Sequence, residues 1–249
     1  TDRAKFGLIS VVIHEIGHIW FPMSVNSDER QWTWQDEGIN TFLQYIAEQE
    51  WSENYPSRRG DPRDITEYML SSDQVPIMTN SESVLQFGNN AYGKPATALV
   101  ILRETIIGRE KFDRAFKEYA NRWRFKRPTP ADFFRTLEES SGVDLDWFWR
   151  AWFFEWGYPD LAVQGVITDE AAHAQLVMVE KKGNIPVPVH LEISFSDGTK
   201  TTVHKTAVVW KDGQHNLRIP CPAGKKVVKV ELGNRTIPDV NPADNKWGA

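Results

Sequence analysis

The residues best equipped for chemistry lie near the start of the chain, where His14-Glu15-Ile16-Gly17-His18 forms an HExxH pentad inside an apolar run. On a helix, positions four apart share a face about one turn apart, so both imidazoles can bind one ion. Glu15 falls on a neighbouring azimuth, from which its carboxylate can reach a water beside that ion without ligating the metal itself. Catalytic zinc keeps three protein ligands and one open position, so the pentad requires a third ligand downstream. Glu37 supplies it from Trp34-Gln35-Asp36-Glu37-Gly38, with residues 19 to 36 intervening. The set predicts a single zinc ion on His14, His18 and Glu37, with Glu15 as general base.

The elements that must position these groups follow from periodicity. From Phe6 to about Gly157 the apolar residues recur at helical spacing, interrupted by Pro22, Gly60, Pro62, Pro76, Gly108, Pro128, Pro130 and Gly142. This predicts helices over 6–20, 36–51, 63–71, 93–107, 110–124, 130–140 and 144–155. Thr129 before Pro130 and Asp132 is a good helix start, and Asp144 with Asp146 places negative charge at another. After Tyr158-Pro159 the pattern alternates, predicting strands over 161–167, 174–179, 187–195, 199–204, 207–210, 216–219 and 226–232. Turn signals such as Ser196-Asp197-Gly198 and Asp212-Gly213 separate several of them. The expected class is therefore α+β and multidomain. A helical domain over 1–159 precedes a small β-sandwich of immunoglobulin-like architecture over 160–237, and 238–249 forms a C-terminal extension.

His14 to Phe21 reads HEIGHIWF, which resembles the HExxHxWF pattern of the aminopeptidase N and leukotriene hydrolase family of gluzincin metallopeptidases. Trp34 to Asn40, WQDEGIN, resembles that family's W-x-(N/D)-E-G segment, and Ala91-Tyr92-Gly93-Lys94 resembles its Y-x-K-G segment, with Pro95 in place of the pattern's glycine. The resemblance implies a thermolysin-like catalytic domain, zinc-dependent removal of N-terminal residues from peptides, and a role for Tyr92 in stabilising the tetrahedral intermediate. The family's G-x-M-E-N segment, whose glutamate binds the substrate's free amine, does not occur in these residues. Together with a first residue that is threonine, this makes the N-terminus look cut. Relatives of this type are often bacterial and exported, which favours the periplasm or the cell exterior. Two alternatives use the same residues: a gluzincin-shaped binding protein without catalysis, and an epoxide or ester hydrolase.

Composition sets the remaining bounds. With 29 Lys and Arg against 34 Asp and Glu among 249 residues, the net charge of -5 offers no footprint for nucleic acid. No apolar stretch approaches the roughly 18–20 residues that a membrane-spanning helix needs. One cysteine, Cys221, excludes an internal disulfide framework and leaves compartment and oligomeric state open. Trp147, Trp149, Trp152 and Trp156 with Phe153 and Phe154 read as core packing, as do Trp32 and Trp34. His173, His190, His204 and His215 stand singly, without ligand spacing.

Overall fold

Helix α1 (Asp2–Gly17) opens the computed structural model, which describes residues 2–171 and 173–248. Its winding continues into turns that carry His18, since Phe21 N–H donates to the Gly17 carbonyl at 3.2 Å. Ser10 is its single buried residue among those described, while Leu8, Val11, Val12 and Ile16 are exposed. The second helix, α2 (Ile39–Trp51), is preceded by a wider π-helical turn, Trp34–Gly38, which contains Glu37. After the short α3 (Thr66–Met69), a π-helical turn Gly88–Gly93 carrying Tyr92 runs into α4 (Lys94–Ile101) and a further π turn, Leu102–Ile106. Every residue of α4 is buried, so this helix is the centre around which α2 and its preceding turn pack.

Helices α5 (Arg109–Trp123) and α6 (Pro130–Ser141) form an amphipathic pair. Phe112, Ala115, Phe116 and Tyr119 recur at 3.6-residue spacing and are buried, meeting Phe133 of α6. The start of α6 is the one its sequence predicts. Thr129 and Asp132 satisfy each other's backbone N–H groups in a capping box, and Pro130 occupies the first turn. The last helix, α7 (Asp146–Trp149), continues as a π turn through Phe154 and buries Phe148, Trp149, Trp152 and Phe153. Trp34 packs into this aromatic core, with its ring stacked on Phe134 at 5.7 Å, which agrees with the packing reading for Trp34, Trp149, Trp152 and Phe153. Phe154 and Trp156 depart from it, being exposed where the π turn ends.

The chain divides into two compact units, Thr1–Trp156 and Gly157–Ala249. The second contains two antiparallel sheets. One has the order β1-β2-β5, from Leu161–Asp169, Ala174–Lys181 and Asn216–Pro220. The other has the order β4-β3-β6-β7, from Lys200–Lys205, Val189–Phe195, Val227–Leu232 and Lys246–Gly248. Alternation buries Val189, Leu191, Ile193 and Phe195 on one face of β3, and Val177 and Val179 on β2. The class is α+β. Two segments differ from expectation. Ala207–Trp210 is a 3₁₀ turn and not a strand, because Ala207 and Trp210 are both buried and the Trp210 indole N–H donates to the Val187 carbonyl at 2.9 Å, which alternation cannot provide. Residues 246–248, expected within a terminal extension, pair with β6 as an edge strand.

Candidate functional site

Helix α1 with the turns that follow it, and the π-helical turn Trp34–Gly38 that leads into α2, bring the predicted ligands together. His14 Nε2 lies 3.0 Å and His18 Nε2 3.4 Å from Glu37 Oε2, and the two rings are 4.7 Å apart, edge to face. One ligating atom from each of the three residues lies within 4.8 Å of the others. Glycine permits this closeness at two places. A Cβ on Gly17 would stand 2.0 Å from Asn40 Oδ1, and Asn40 Nδ2 donates to the His14 carbonyl at 2.8 Å, tying the pentad to α2. A Cβ on Gly38 would meet Pro95 Cγ at 2.6 Å and the Ala91 carbonyl at 2.9 Å, so the glycine after Glu37 lets the turn bearing Tyr92 approach. Pro95 thus has a defined packing partner in Gly38.

The remaining ring nitrogens are directed away from the cluster. His14 Nδ1–H donates to Gln44 Oε1 at 2.8 Å, while Gln44 Nε2 donates to the Glu48 carboxylate at 2.7 Å. His18 Nδ1–H donates to the Phe21 carbonyl at 2.8 Å. Asp36 Oδ1 lies 3.3 Å from the same nitrogen but accepts no hydrogen bond among the described residues. Both Nε2 atoms are thereby directed at the cluster, the orientation that metal-binding histidines usually have, and His14 Nε2 hydrogen-bonds Glu37 Oε2 at 3.0 Å. Two imidazole nitrogens and one carboxylate oxygen are a donor set suited to zinc, and the residues fit that ion.

The electrostatics agree with a cation-seeking site. Burial alone would raise the Glu37 carboxyl, but hydrogen bonds from His14 and Tyr92 and the charges of His18 and His14 hold it below the usual carboxylate range. Burial would lower His14, yet the bonds to Glu37 and Gln44 and the charges of Glu37 and Glu15 leave it above the ordinary histidine value. Asp36 is pushed up to about 7 by burial and then by the negative charges of Glu37 and Glu29. The Tyr92 phenol is raised well above its ordinary value by burial and by its hydrogen bond to Glu37, so it stays a proton donor at neutral pH. Its ring stacks on His14, with centroids 5.8 Å apart, and the Arg59 guanidinium lies 4.1 Å from its centroid.

A cavity of about 450 Å³ has His14, Glu15, His18, Glu37 and Tyr92 on its wall, so all five residues singled out in the sequence face one space. Gln44, Glu48 and Asn40 were not anticipated. Their signal is a polar stripe at helical period through Glu37, Asn40, Gln44 and Glu48 on an element whose other face is apolar. The buried hydroxyl of Thr41, four residues after Glu37, makes no hydrogen bond among the described residues.

Comparison with known proteins bears on this geometry. Residues 1–152 match the family model for the peptidase family M1 domain. The glutamyl aminopeptidase of Sus scrofa is 30% identical over 163 residues, covering 62% of this chain and 17% of the relative. Probable aminopeptidase 1 of Saccharolobus solfataricus is 24% identical over 243 residues, covering 93% of this chain and 30% of the relative. The crystal structure of Legionella pneumophila aminopeptidase A in complex with aspartic acid is alike in fold, with a TM-score of 0.66 at 19% identity over 90% of this chain and 25% of that one. The chain therefore spans less than a third of the length of these relatives.

Proposed function

This chain belongs to peptidase family M1, and on that basis we propose that it carries the zinc site of a peptidase which, as a whole protein, removes N-terminal residues from peptides. The observation that carries the reading is the convergence of His14, His18 and Glu37 on one point, with Glu15 on the same cavity wall. The helical unit is read as a thermolysin-like gluzincin catalytic domain and the β unit as a small immunoglobulin-like sandwich, a reading supported by its two antiparallel sheets.

His14, His18 and Glu37 would hold one zinc ion. When bound there, zinc supplies Lewis-acid chemistry, polarising a carbonyl and lowering the pKa of water from about 15.7 toward about 7. Gln44 and the Phe21 carbonyl fix the two rings so that each presents Nε2. Glu15 takes a proton from water as the oxygen adds to the scissile carbonyl carbon. When the C–N bond breaks, Glu15 returns that proton to the departing amine. Tyr92 donates its phenolic hydrogen to the developing oxyanion, a role favoured by its raised pKa.

Metal content and turnover test the proposal together. The purified protein is expected to hold one zinc, and His18→Ala none. A panel of aminoacyl fluorogenic substrates should be cleaved by the zinc-loaded whole protein, including the amine-binding segment that these residues lack, and spared after chelation. Zinc without cleavage of any substrate would favour a binding protein, and cleavage of esters alone would favour an ester hydrolase.

A further inference from the structure

Two arginines on the cavity wall take no part in the metal cluster. Arg58 and Arg59 follow α2 in the segment 52–60 and line the same space as His14, Glu15 and Tyr92. Arg58 also borders a neighbouring cavity of about 370 Å³. Both arginines are exposed, neither guanidinium has a carboxylate partner or a hydrogen bond among the described residues, and that of Arg59 lies over the face of the Tyr92 ring. The Tyr92 ring thus touches both that guanidinium and the His14 ring.

Solvated surface arginines are common, so the supporting structure decides whether these form a site. The segment that holds them is built. Ser57, immediately before Arg58, donates its hydroxyl to the buried Glu48 carboxylate, the group that also fixes Gln44 and through it His14. Gln49 Nε2 donates to both Ser57 Oγ and the Tyr55 carbonyl at 3.0 Å. Tyr55 is buried and bonds back to α1 through the Phe6 carbonyl and Ser10 Oγ. One continuous hydrogen-bonded chain thus connects the ring of a proposed metal ligand to the base of the arginine segment.

We propose that Arg58 and Arg59 form a carboxylate-binding subsite beside the metal cluster, which directs the protein to peptides bearing an anionic group close to the scissile bond. The inference rests on the peptidase reading above and adds a substrate class to it. A guanidinium offers a fork of N–H donors matched to a carboxylate, and a charge-assisted bidentate pair discriminates against the neutral amide. The carboxylate can come from an acidic first side chain or from the terminal carboxylate of a short peptide.

Calorimetric binding to the zinc-loaded Glu15→Gln protein, which should not consume peptide, separates these sources. The probes are Glu-Ala-Ala amide, Gln-Ala-Ala amide and Gln-Ala-Ala with a free C-terminus. At least one acid-bearing peptide is expected to bind about tenfold or more tightly than Gln-Ala-Ala amide, and which one identifies the source. Adding Arg58→Gln should remove that preference, and Arg58→Lys should keep part of it. Equal binding of all three peptides, binding of none, or a preference that survives both Arg58→Gln and Arg59→Gln overturns the subsite. Cleavage of the neutral peptide by the unsubstituted protein, with equal binding of all three, would retain the peptidase reading and remove only this inference. Charge-selective binding lost in Arg58→Gln, with no cleavage by the unsubstituted protein, would do the reverse.

Discussion

His14 Nδ1 and Gln44 Oε1 lie 2.8 Å apart, and this contact decides which nitrogen of the ring is free. The Gln44 amide is oriented by its donation to Glu48, so its oxygen faces the ring and Nδ1 carries the hydrogen. Gln44→Ala leaves the three proposed ligands in place but releases the ring. Zinc affinity, measured by competition with a chromophoric chelator, is expected to fall by about 10–100-fold. Unchanged affinity would mean that packing alone orients His14.

Separate roles for the site residues predict separable defects. Glu15→Gln should hold zinc normally and lose nearly all turnover, because the amide cannot accept the proton. His14→Ala should lose the metal. Tyr92→Phe should keep the metal and slow turnover by about a hundredfold or more, the usual effect of removing one donor to an oxyanion. Zinc content and kcat measured on the same preparations check all three, and normal turnover by Glu15→Gln would rule out the assignment of the base.

The convergence of His14, His18 and Glu37 was legible in the sequence because the pentad imposes its own geometry: two histidines four apart on a helix share a face wherever that helix lies. Glu37 was legible through its surrounding motif. Gln44 and Glu48 were not, since a polar residue on α2 reads as solvent-facing until α1 is seen to pack on it. The helical unit followed its period well, yet the π turns carrying Glu37 and Tyr92 leave no mark in an apolar pattern averaged over several turns. Ala207–Trp210 was read as a strand for a related reason. Four apolar residues in a row fit alternation no better than a tight turn, and only the tertiary bond from Trp210 to Val187 decides between them.

Gly17 illustrates two opposing effects whose magnitudes determine the sign. Alanine at a helical glycine ordinarily adds up to about 1 kcal/mol of stability. Here the new methyl would displace Asn40, which is buried and donates to the His14 carbonyl, and losing that bond in a buried setting costs about 1–3 kcal/mol. Gly17→Ala should therefore lower the urea midpoint. In an Asn40→Ala background, where the bond is already gone, the same substitution should be neutral or stabilising. Destabilisation of equal size in both backgrounds would place the conflict elsewhere.

Lys94 is fully buried, and its ammonium donates to Gln74 Oε1 at 3.0 Å, with no carboxylate paired to it among the described residues. Burial lowers its pKa from 10.5 to about 7. The sign follows from proton counting. Between about pH 7 and 10.5 the unfolded chain holds a proton on Lys94 that the folded chain has released, so raising the pH favours folding by at most about 1.4 kcal/mol per unit. Below pH 7 the lysine is charged in both states and the desolvation penalty is present in full; above 10.5 it vanishes. Lys94→Met removes the titrating group while keeping an unbranched apolar stem. Measured by urea unfolding, the variant should exceed the parent in stability most at pH 6, and the difference should shrink as the pH rises toward 10. A difference constant across that range would show that Lys94 keeps its proton in the fold, held by more than Gln74.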